Sequence, residues 1–274
     1  VSSSGQVVST VKLPTALAGS TTGQEQAIVL PITSVSATSD QASAPTVTVD
    51  LDTETSVKVE VPVTNTTPGT VAVLVKEDGT EEVVKSSVAT ETGVVLTLSD
   101  GDTVKIVDNS KEFDDVDDSY WGAEAVAFTT SRELFVGTSS TTFSPDTAMT
   151  RGMLVTTMAR LADVDTSSGD TWYAAGQQWA VESGISDGTN MEQTLTREQA
   201  ATMLWRYAGW PDASADLSGY SDAGDISDYA RQAMLWAVEQ GLISGTTATT
   251  LSPQGEATRA QVAALLMRFF MAQA

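Results

Sequence analysis

Thr150-Arg151-Gly152-Met153, Thr196-Arg197-Glu198-Gln199 and Thr258-Arg259-Ala260-Gln261 each open an apolar run with helical spacing. Three residues past each arginine stands Leu154, Ala200 or Val262; seven past it stands Met158, Leu204 or Leu266. A second arginine follows nine residues on, at Arg160, Arg206 and Arg268. Upstream lie aromatic pairs seven residues apart: Trp121 and Phe128, Trp172 and Trp179, Tyr229 and Trp236. Seven residues is two helical turns, so each pair shares one face. A glycine comes nine residues later, at Gly137, Gly188 and Gly245, and the outer copies add Phe143-Ser144-Pro145 and Leu251-Ser252-Pro253. Each copy reads as helix, loop, helix, with 46 to 62 residues from arginine to arginine. So small a unit cannot bury its own apolar faces, so the three are expected to share one core.

The threonine has a structural explanation as N-cap, accepting from a free N–H of the first turn. Gln199 and Gln261, three residues on, complete a capping box; Met153 leaves the first copy with the threonine alone. Neither device explains the arginine. A cation in the first turn faces the positive end of the helix dipole. Its recurrence points either to an anion to bind or to a buried carboxylate partner.

From residue 111 onward the basic residues are one lysine and eight arginines, and six of those arginines occupy the two repeated positions. Arginine grips carboxylates and phosphates bidentately and stacks on aromatic rings. Arg151, Arg197 and Arg259 read as ligand-facing. Arg160, Arg206 and Arg268, late in their helices, read as structural, because a cation is favourable there. Trp121, Trp172 and Tyr229 read either as core or as sugar platforms; Phe128, Trp179 and Trp236 read as core.

Composition narrows the chemistry. The 274 residues carry 14 basic and 36 acidic side chains, a net charge of −22, with no cysteine and no histidine. Disulfides, thiolate or imidazole metal sites, cysteine nucleophiles and Ser-His-Asp triads are excluded. The acidic balance disfavours nucleic acid and anionic membranes. No apolar run reaches the ~18 residues of a membrane helix. Neither a signal peptide nor an initiator Met is visible, so Val1 is expected to mark a processed chain or a fragment.

Residues 1 to about 110 read as β-structure. Runs at Val7–Leu13, Ala27–Ile32, Thr46–Leu51, Ser56–Val63, Thr70–Lys76, Glu82–Ser87, Gly93–Leu98 and Thr103–Val107 predict about eight strands. Asp78-Gly79 and Asp100-Gly101 predict two hairpins. A sandwich or small barrel follows. Residues 14–26 and 33–45 are rich in small polar residues and read as loops or linker. The acids here (Glu25, Asp50, Asp52, Glu54, Glu60) scatter over polar faces and turns and read as solvated surface. A calcium site at Asp50-Leu51-Asp52 lacks EF-hand spacing.

From Phe113 onward the chain resembles three S-layer homology domains. The likeness rests on Phe113-Asp114-Asp115-Val116, Trp121, Ala125-Val126, Gly137, Phe143-Ser144-Pro145 and Thr150-Arg151 in the first copy. The third keeps Tyr220-Ser221-Asp222, Trp236-Ala237-Val238, Gly241-Leu242-Ile243, Leu251-Ser252-Pro253 and Thr258-Arg259-Ala260-Gln261. The resemblance implies a multi-domain α+β chain: an N-terminal all-β domain, then an all-α pseudo-trimer of helix-loop-helix repeats. Residues 1–45 would be an extended or β segment or linker and 46–110 the β-domain. The repeats would span 111–165, 166–212 and 213–274. It further implies non-covalent anchoring of a secreted protein at the cell wall. The ligand would be an anionic secondary cell-wall polysaccharide, with pyruvate ketals typical, bound in grooves between repeats. By matching position, Arg151, Arg197 and Arg259 would hold the anion. Their neighbours would be Asp115 with Trp121, Trp172, and Asp222 with Tyr229. No cofactor or metal is implied.

The chain departs from the family pattern in places. No copy ends in the Ala-Glu common in the family, and Gly152 occupies a first helical turn. The second copy lacks Phe-x-Pro, has a loop five residues shorter, and lacks the Phe-x-Asp element unless Asp163-Val164 serves. The grooves are therefore expected to differ, with one or two of them binding. The alternative is an assembly module binding neighbouring chains, with self-association. A two-carboxylate glycosidase using acids such as Asp114, Asp115, Asp117 and Asp118 is the enzymatic option, disfavoured because those acids are loop-borne and unrepeated.

Overall fold

The computed structural model describes residues 8–13, 27–51 and 55–274. The loop expected at 14–26, together with Glu25, Asp52 and Glu54, lies outside them. The chain divides into two compact units. One comprises Val1–Glu112, Ala127–Val136 and Gln273–Ala274; the other comprises Phe113–Val126 and Gly137–Ala272.

The first unit holds nine strands among its described residues: β1 (Val8–Leu13), β2 (Ile28–Val29), β3 (Thr46–Leu51), β4 (Val57–Pro62), β5 (Thr70–Val75), β6 (Glu81–Val83), β7 (Val88–Ala89), β8 (Gly93–Leu98) and β9 (Thr103–Asp108). They form a five-stranded sheet, β1-β3-β9-β5-β6, and a four-stranded sheet, β2-β4-β8-β7. Both are mixed: β1 runs parallel to β3 and β2 parallel to β4, and the other pairings are antiparallel. Alternation drives the packing, with Val59 and Val61 of β4 and Val47 and Val49 of β3 all fully buried in one shared core. Asp78-Gly79 makes its hairpin between β5 and β6, with Gly79 at φ +83°. Asp100-Gly101 does not make one. Its turn carries the chain from β8 in one sheet to β9 in the other, and the Gly101 N–H donates across to the Val49 carbonyl at 3.0 Å.

Arg132 is fully buried in this unit. Its Nε donates to the Ser87 carbonyl at 2.7 Å, and Nη1 and Nη2 donate to the Pro68 and Thr70 carbonyls at 3.1 Å each. The guanidinium also lies 3.6 Å from the centre of the Phe128 ring. Burial pulls its pKa down, and the ring of carbonyl acceptors offsets that cost.

Six helices follow: α1 (Ala123–Ser131), α2 (Arg151–Leu161), α3 (Ala174–Glu182), α4 (Arg197–Tyr207), α5 (Arg231–Glu239) and α6 (Arg259–Met271). The expected fold class, an all-β domain followed by an all-α pseudo-trimer of helix-loop-helix repeats, is incorrect on both counts. The sheet unit recruits Ala127–Val136, which includes the end of α1. The helical unit is not all-α. Its Thr-Arg segments pair by antiparallel bridges, Ala148 with Thr258, Thr150 with Thr194 and Thr196 with Glu256, and two 3₁₀ turns precede α5. The physical reason is a backbone one. Each helix start leaves free N–H groups, and here extended segments from elsewhere in the chain supply the acceptors.

Candidate functional site

The three helix starts form as their caps dictate. Thr150 Oγ1 accepts from the Met153 N–H at 3.2 Å. Thr196 and Thr258 accept from Gln199 and Gln261 at 3.3 Å each, and both glutamines reach back to the cap N–H. Just before the caps, Met149 N–H donates to Ala257 O at 2.9 Å, Ala257 N–H to Leu195 O at 2.8 Å, and Leu195 N–H to Met149 O at 2.8 Å. The three segments thus close a hydrogen-bonded ring, with Met149, Leu195 and Ala257 all buried.

Each arginine of the motif reaches from this ring into the loop of another copy. Arg151 Nε donates to Thr189 O at 3.0 Å, Arg197 Nε to Leu251 O at 2.9 Å, and Arg259 Nε to Phe143 O at 2.8 Å. The first copy holds the second, the second the third, and the third the first. Arg197 and Arg259 are only 9% and 7% exposed. Burial lowers both pKa values, and the nearby carboxylates of Asp222 and Asp115 raise them again. Arg151 pairs directly with Asp187, Nη2 to Oδ1 at 2.7 Å.

The carboxylates also brace the loops. Asp115 accepts from the Phe143 and Ser144 N–H groups at 2.8 and 2.7 Å; Asp222 accepts from Leu251 and Ser252 at 2.9 and 2.7 Å. Burial pushes the Asp115 carboxyl up, but those two N–H groups and the Arg259 charge outweigh it and hold it below the usual range. The Leu251 N–H leads the same lowering at Asp222. In the second copy Asp187 takes this bracing role. Asp187 Oδ1 accepts from the Thr189 N–H at 3.0 Å. The missing Phe-x-Pro has a counterpart too. Thr189-Asn190-Met191 takes its place, with Asn190 at φ +55°, beside +58° at Ser144 and +51° at Ser252.

Two grooves of about 330 Å³ each open beside these arginines. One is lined by Arg197, the Ser244–Thr246 loop, Gln261, Arg268 and, from the first copy, Trp121 and Asp146. The other is lined by Arg151, the Ser186–Asn190 loop, Gln199, Arg206 and, from the third copy, Tyr229. The two share their arginine, glutamine and aromatic positions. Arg268 Nη1 anchors on Leu242 O and Arg206 Nη1 on Ile185 O, at 3.1 Å each. Arg206 and Arg268, assigned a structural role from sequence, therefore also line the grooves, whereas Arg160 Nε donates to Thr166 Oγ1 at 3.2 Å.

Trp121, Trp172 and Tyr229 are 59%, 55% and 51% exposed, so they are surface residues rather than core. Phe128 and Trp236 are buried, and Trp179 is half-buried. Tyr229 is oriented by Glu198, whose Oε1 accepts its hydroxyl at 2.9 Å. Burial and then this carboxylate push the phenol up to about 12. Glu198 is itself buried and also accepts from Ser227 and Gln254. Trp172 lies over Gly152. A Cβ there would stand 3.3 Å from its ring and 3.0 Å from Met191 O. The glycine in the first helical turn is thus the space the indole uses.

The grooves differ in where their acids sit, with Asp146 lining the Arg197 groove and Asp187 the Arg151 groove. Asp187 neutralises Arg151 in its groove. At the matching place in the other, the Ser244 carbonyl takes Arg197 Nη2 at 3.1 Å and adds no negative charge. There burial lowers the Arg197 pKa most, the Asp222 carboxylate raises it, and Arg268 lowers it by less.

Sequence comparison adds context. The family model of the S-layer homology domain matches residues 112–152 and 219–263. The chain is 28% identical over 174 residues to an amylopullulanase of Thermoanaerobacterium thermosulfurigenes, covering 57% of this chain and 9% of that protein. It is 26% identical to the exoglucanase XynX of Acetivibrio thermocellus, covering 59% of this chain and 16% of that protein. It is also 26% identical to a surface-layer 125 kDa protein of Lysinibacillus sphaericus, covering 55% of this chain and 14% of that protein. The chain thus spans less than a fifth of the length of each of these relatives.

Proposed function

The chain carries S-layer homology domains over residues 112–152 and 219–263, and from that premise we propose that it anchors a surface protein to the bacterial cell wall. Its ligand is an anionic wall polysaccharide, with a pyruvylated sugar the best fit. The observation that carries this is the pairing of Arg197 with Arg268 in one groove, beside an exposed Trp121. On a chain of net charge −22, two guanidiniums lining one groove make a local anion site, with Arg197 hydrogen-bonded to the Leu251 and Ser244 carbonyls rather than to a carboxylate. A carboxylate entering there would take charge-assisted hydrogen bonds from them. The exposed indole supplies a flat apolar face for a sugar ring. Screening over ~8 Å at physiological salt keeps the distant acidic charge from dominating.

Residues 166–212 form the remaining repeat of the same kind in this account. The support is the matched reach of Arg151, Arg197 and Arg259 into successive loops. Asp115 and Asp222 act by bracing the loops that present the groove. Trp172 serves as the aromatic platform of the second copy. No helix among the described residues is long and apolar enough to cross a membrane, and attachment is to the wall from outside the cell. The protein acts as a binding module without catalysis of its own.

Co-sedimentation with purified cell-wall sacculi tests this. The wild-type chain pellets, and Arg268→Gln, which keeps a donor for Leu242 O but removes the charge, stays largely in the supernatant. Equal pelleting of both sinks the arginine assignment, and no pelleting of either sinks the anchor. The similarity to a surface-layer protein favours array assembly as a second reading. Ordered arrays forming with rising concentration and no polysaccharide would favour it.

A further inference from the structure

The C-terminus of α4 carries an aromatic cluster outside both grooves. Trp205 and Trp210 meet edge-to-face with centroids 4.9 Å apart. The Arg206 guanidinium lies 5.2 Å from the Trp210 ring centre. Trp205 is fixed by its indole N–H, which donates to Pro211 O at 2.7 Å. Trp210 is 52% exposed, so half of a large apolar ring faces water.

Helix termination explains only part of this. The Trp210 N–H closes onto Trp205 O at 3.1 Å after Gly209 at φ +87°. That is the usual glycine-terminated end, with an apolar contact between its last residue and the final turn. The matching end of α2 performs the same closure with a smaller side chain: the Val164 N–H donates to Ala159 O at 2.9 Å after Asp163 at φ +55°. Valine therefore suffices for the closing hydrogen bond, on a backbone that is not left-handed. Trp210 moreover sits at φ +62°, a left-handed backbone that bulky residues seldom adopt, and such strain concentrates where a side chain is being presented.

Arg206 connects the cluster to the groove. It lines the Arg151 groove on one side and lies over Trp210 on the other. Its Nε is buried without a hydrogen-bond partner, although Nη1 is held by Ile185 O. We propose that Trp210, backed by Trp205 and Arg206, is a second carbohydrate subsite. It stacks a neutral pyranose ring of the polysaccharide beside the Arg151 groove, whose motif arginine Asp187 already neutralises, while the anionic residue takes the Arg197 groove. A glycan fits because an indole face binds the apolar C–H face of a sugar. The adjoining guanidinium donates to ring hydroxyls, and the continuous path through Arg206 suits a chain longer than one residue. This subsite rests on the groove reading above and extends it from a terminal residue to a stretch of polymer.

Trp210→Asn tests it, because asparagine removes the ring yet accepts the left-handed backbone at φ +62°. The probes are soluble polysaccharide released from purified cell walls and a pyruvylated monosaccharide, titrated by calorimetry against the full chain. Trp210→Asn is expected to bind the polysaccharide about threefold to tenfold more weakly and the monosaccharide with unchanged affinity. Trp210→Phe should recover most of the loss. Unchanged polysaccharide affinity in Trp210→Asn, with Arg268→Gln weakened, overturns the subsite and leaves the groove reading standing. Equal weakening for both probes also overturns it, because the loss would then come from the groove. Absence of wild-type binding to either probe overturns both.

Discussion

Arg151 and Asp187 are joined Nη2 to Oδ1 at 2.7 Å, and the same carboxylate oxygen accepts the Thr189 N–H at 3.0 Å. Asp187 thus braces its loop as Asp115 and Asp222 brace theirs, but from within the loop itself. It also occupies the guanidinium that an external anion would seek. Asp187→Asn keeps an acceptor for Thr189 and removes the charge. Because Asp187 is largely exposed, the ion pair contributes at most ~1 kcal/mol. We therefore expect a small loss of thermal stability and tighter polysaccharide binding in calorimetry. A weaker-binding Asp187→Asn would contradict the competition.

Gly152 makes room for Trp172, Tyr173 and the Met191 carbonyl. Gly152→Val places branched carbons into that space. The expected cost is about 1–3 kcal/mol, read from urea unfolding, with blue-shifted or quenched Trp172 fluorescence as its local sign. Unchanged stability would show that the indole does not depend on the gap.

Arg132→Met leaves the Ser87, Pro68 and Thr70 carbonyls without their buried donor. A loss of about 3 kcal/mol is expected. Amide exchange in β5 should report it, because Thr70 opens that strand. Arg132→Lys should rescue only partly, since an ammonium lacks the planar fork that reaches four separate carbonyls, Phe128 O included.

Acid should loosen the loops. Asp115, Asp187 and Asp222 all have folded pKa values held below the ordinary range. The stability they contribute is present above the unfolded value, roughly 3.9. It is lost as pH falls through the lower folded values. Melting temperature should be flat from neutral pH to about 5 and fall below about 4. Asp222→Asn should flatten part of that fall. A melting temperature that rises on acidification would contradict the sign.

The helix starts were legible because a cap and its partner lie three residues apart, as at Thr196 and Gln199. The role of the arginines was not. Arg197 and Leu251 are 54 residues apart and Arg259 and Phe143 are 116 apart, and local spacing carries no trace of such pairings. The sequence posed the right choice, anion or carboxylate, and each arginine has a carboxylate near it. The Thr189-Asn190-Met191 loop escaped for another reason. Its conformation matches Phe-Ser-Pro while its residue types do not, and Asn tolerates the left-handed backbone that Ser adopts in the other copies. The mixed sheets escaped because strand periodicity is blind to strand direction. Asp100-Gly101 has the residues of a hairpin turn, but burial demands on β8 and β9 sent the two strands to different sheets.

An anionic sugar in the Arg197 and Arg268 groove is tested by a chemical-shift map of the isotope-labelled chain titrated with a pyruvylated monosaccharide. It should follow both backbone amides and arginine Nε–H signals. Saturable shifts are expected at Ser244, Gly245, Thr246, Arg197, Arg268 and the Trp121 indole, with smaller changes around Arg151. Shifts confined to other surfaces, or none at concentrations that saturate wall binding, would contradict it.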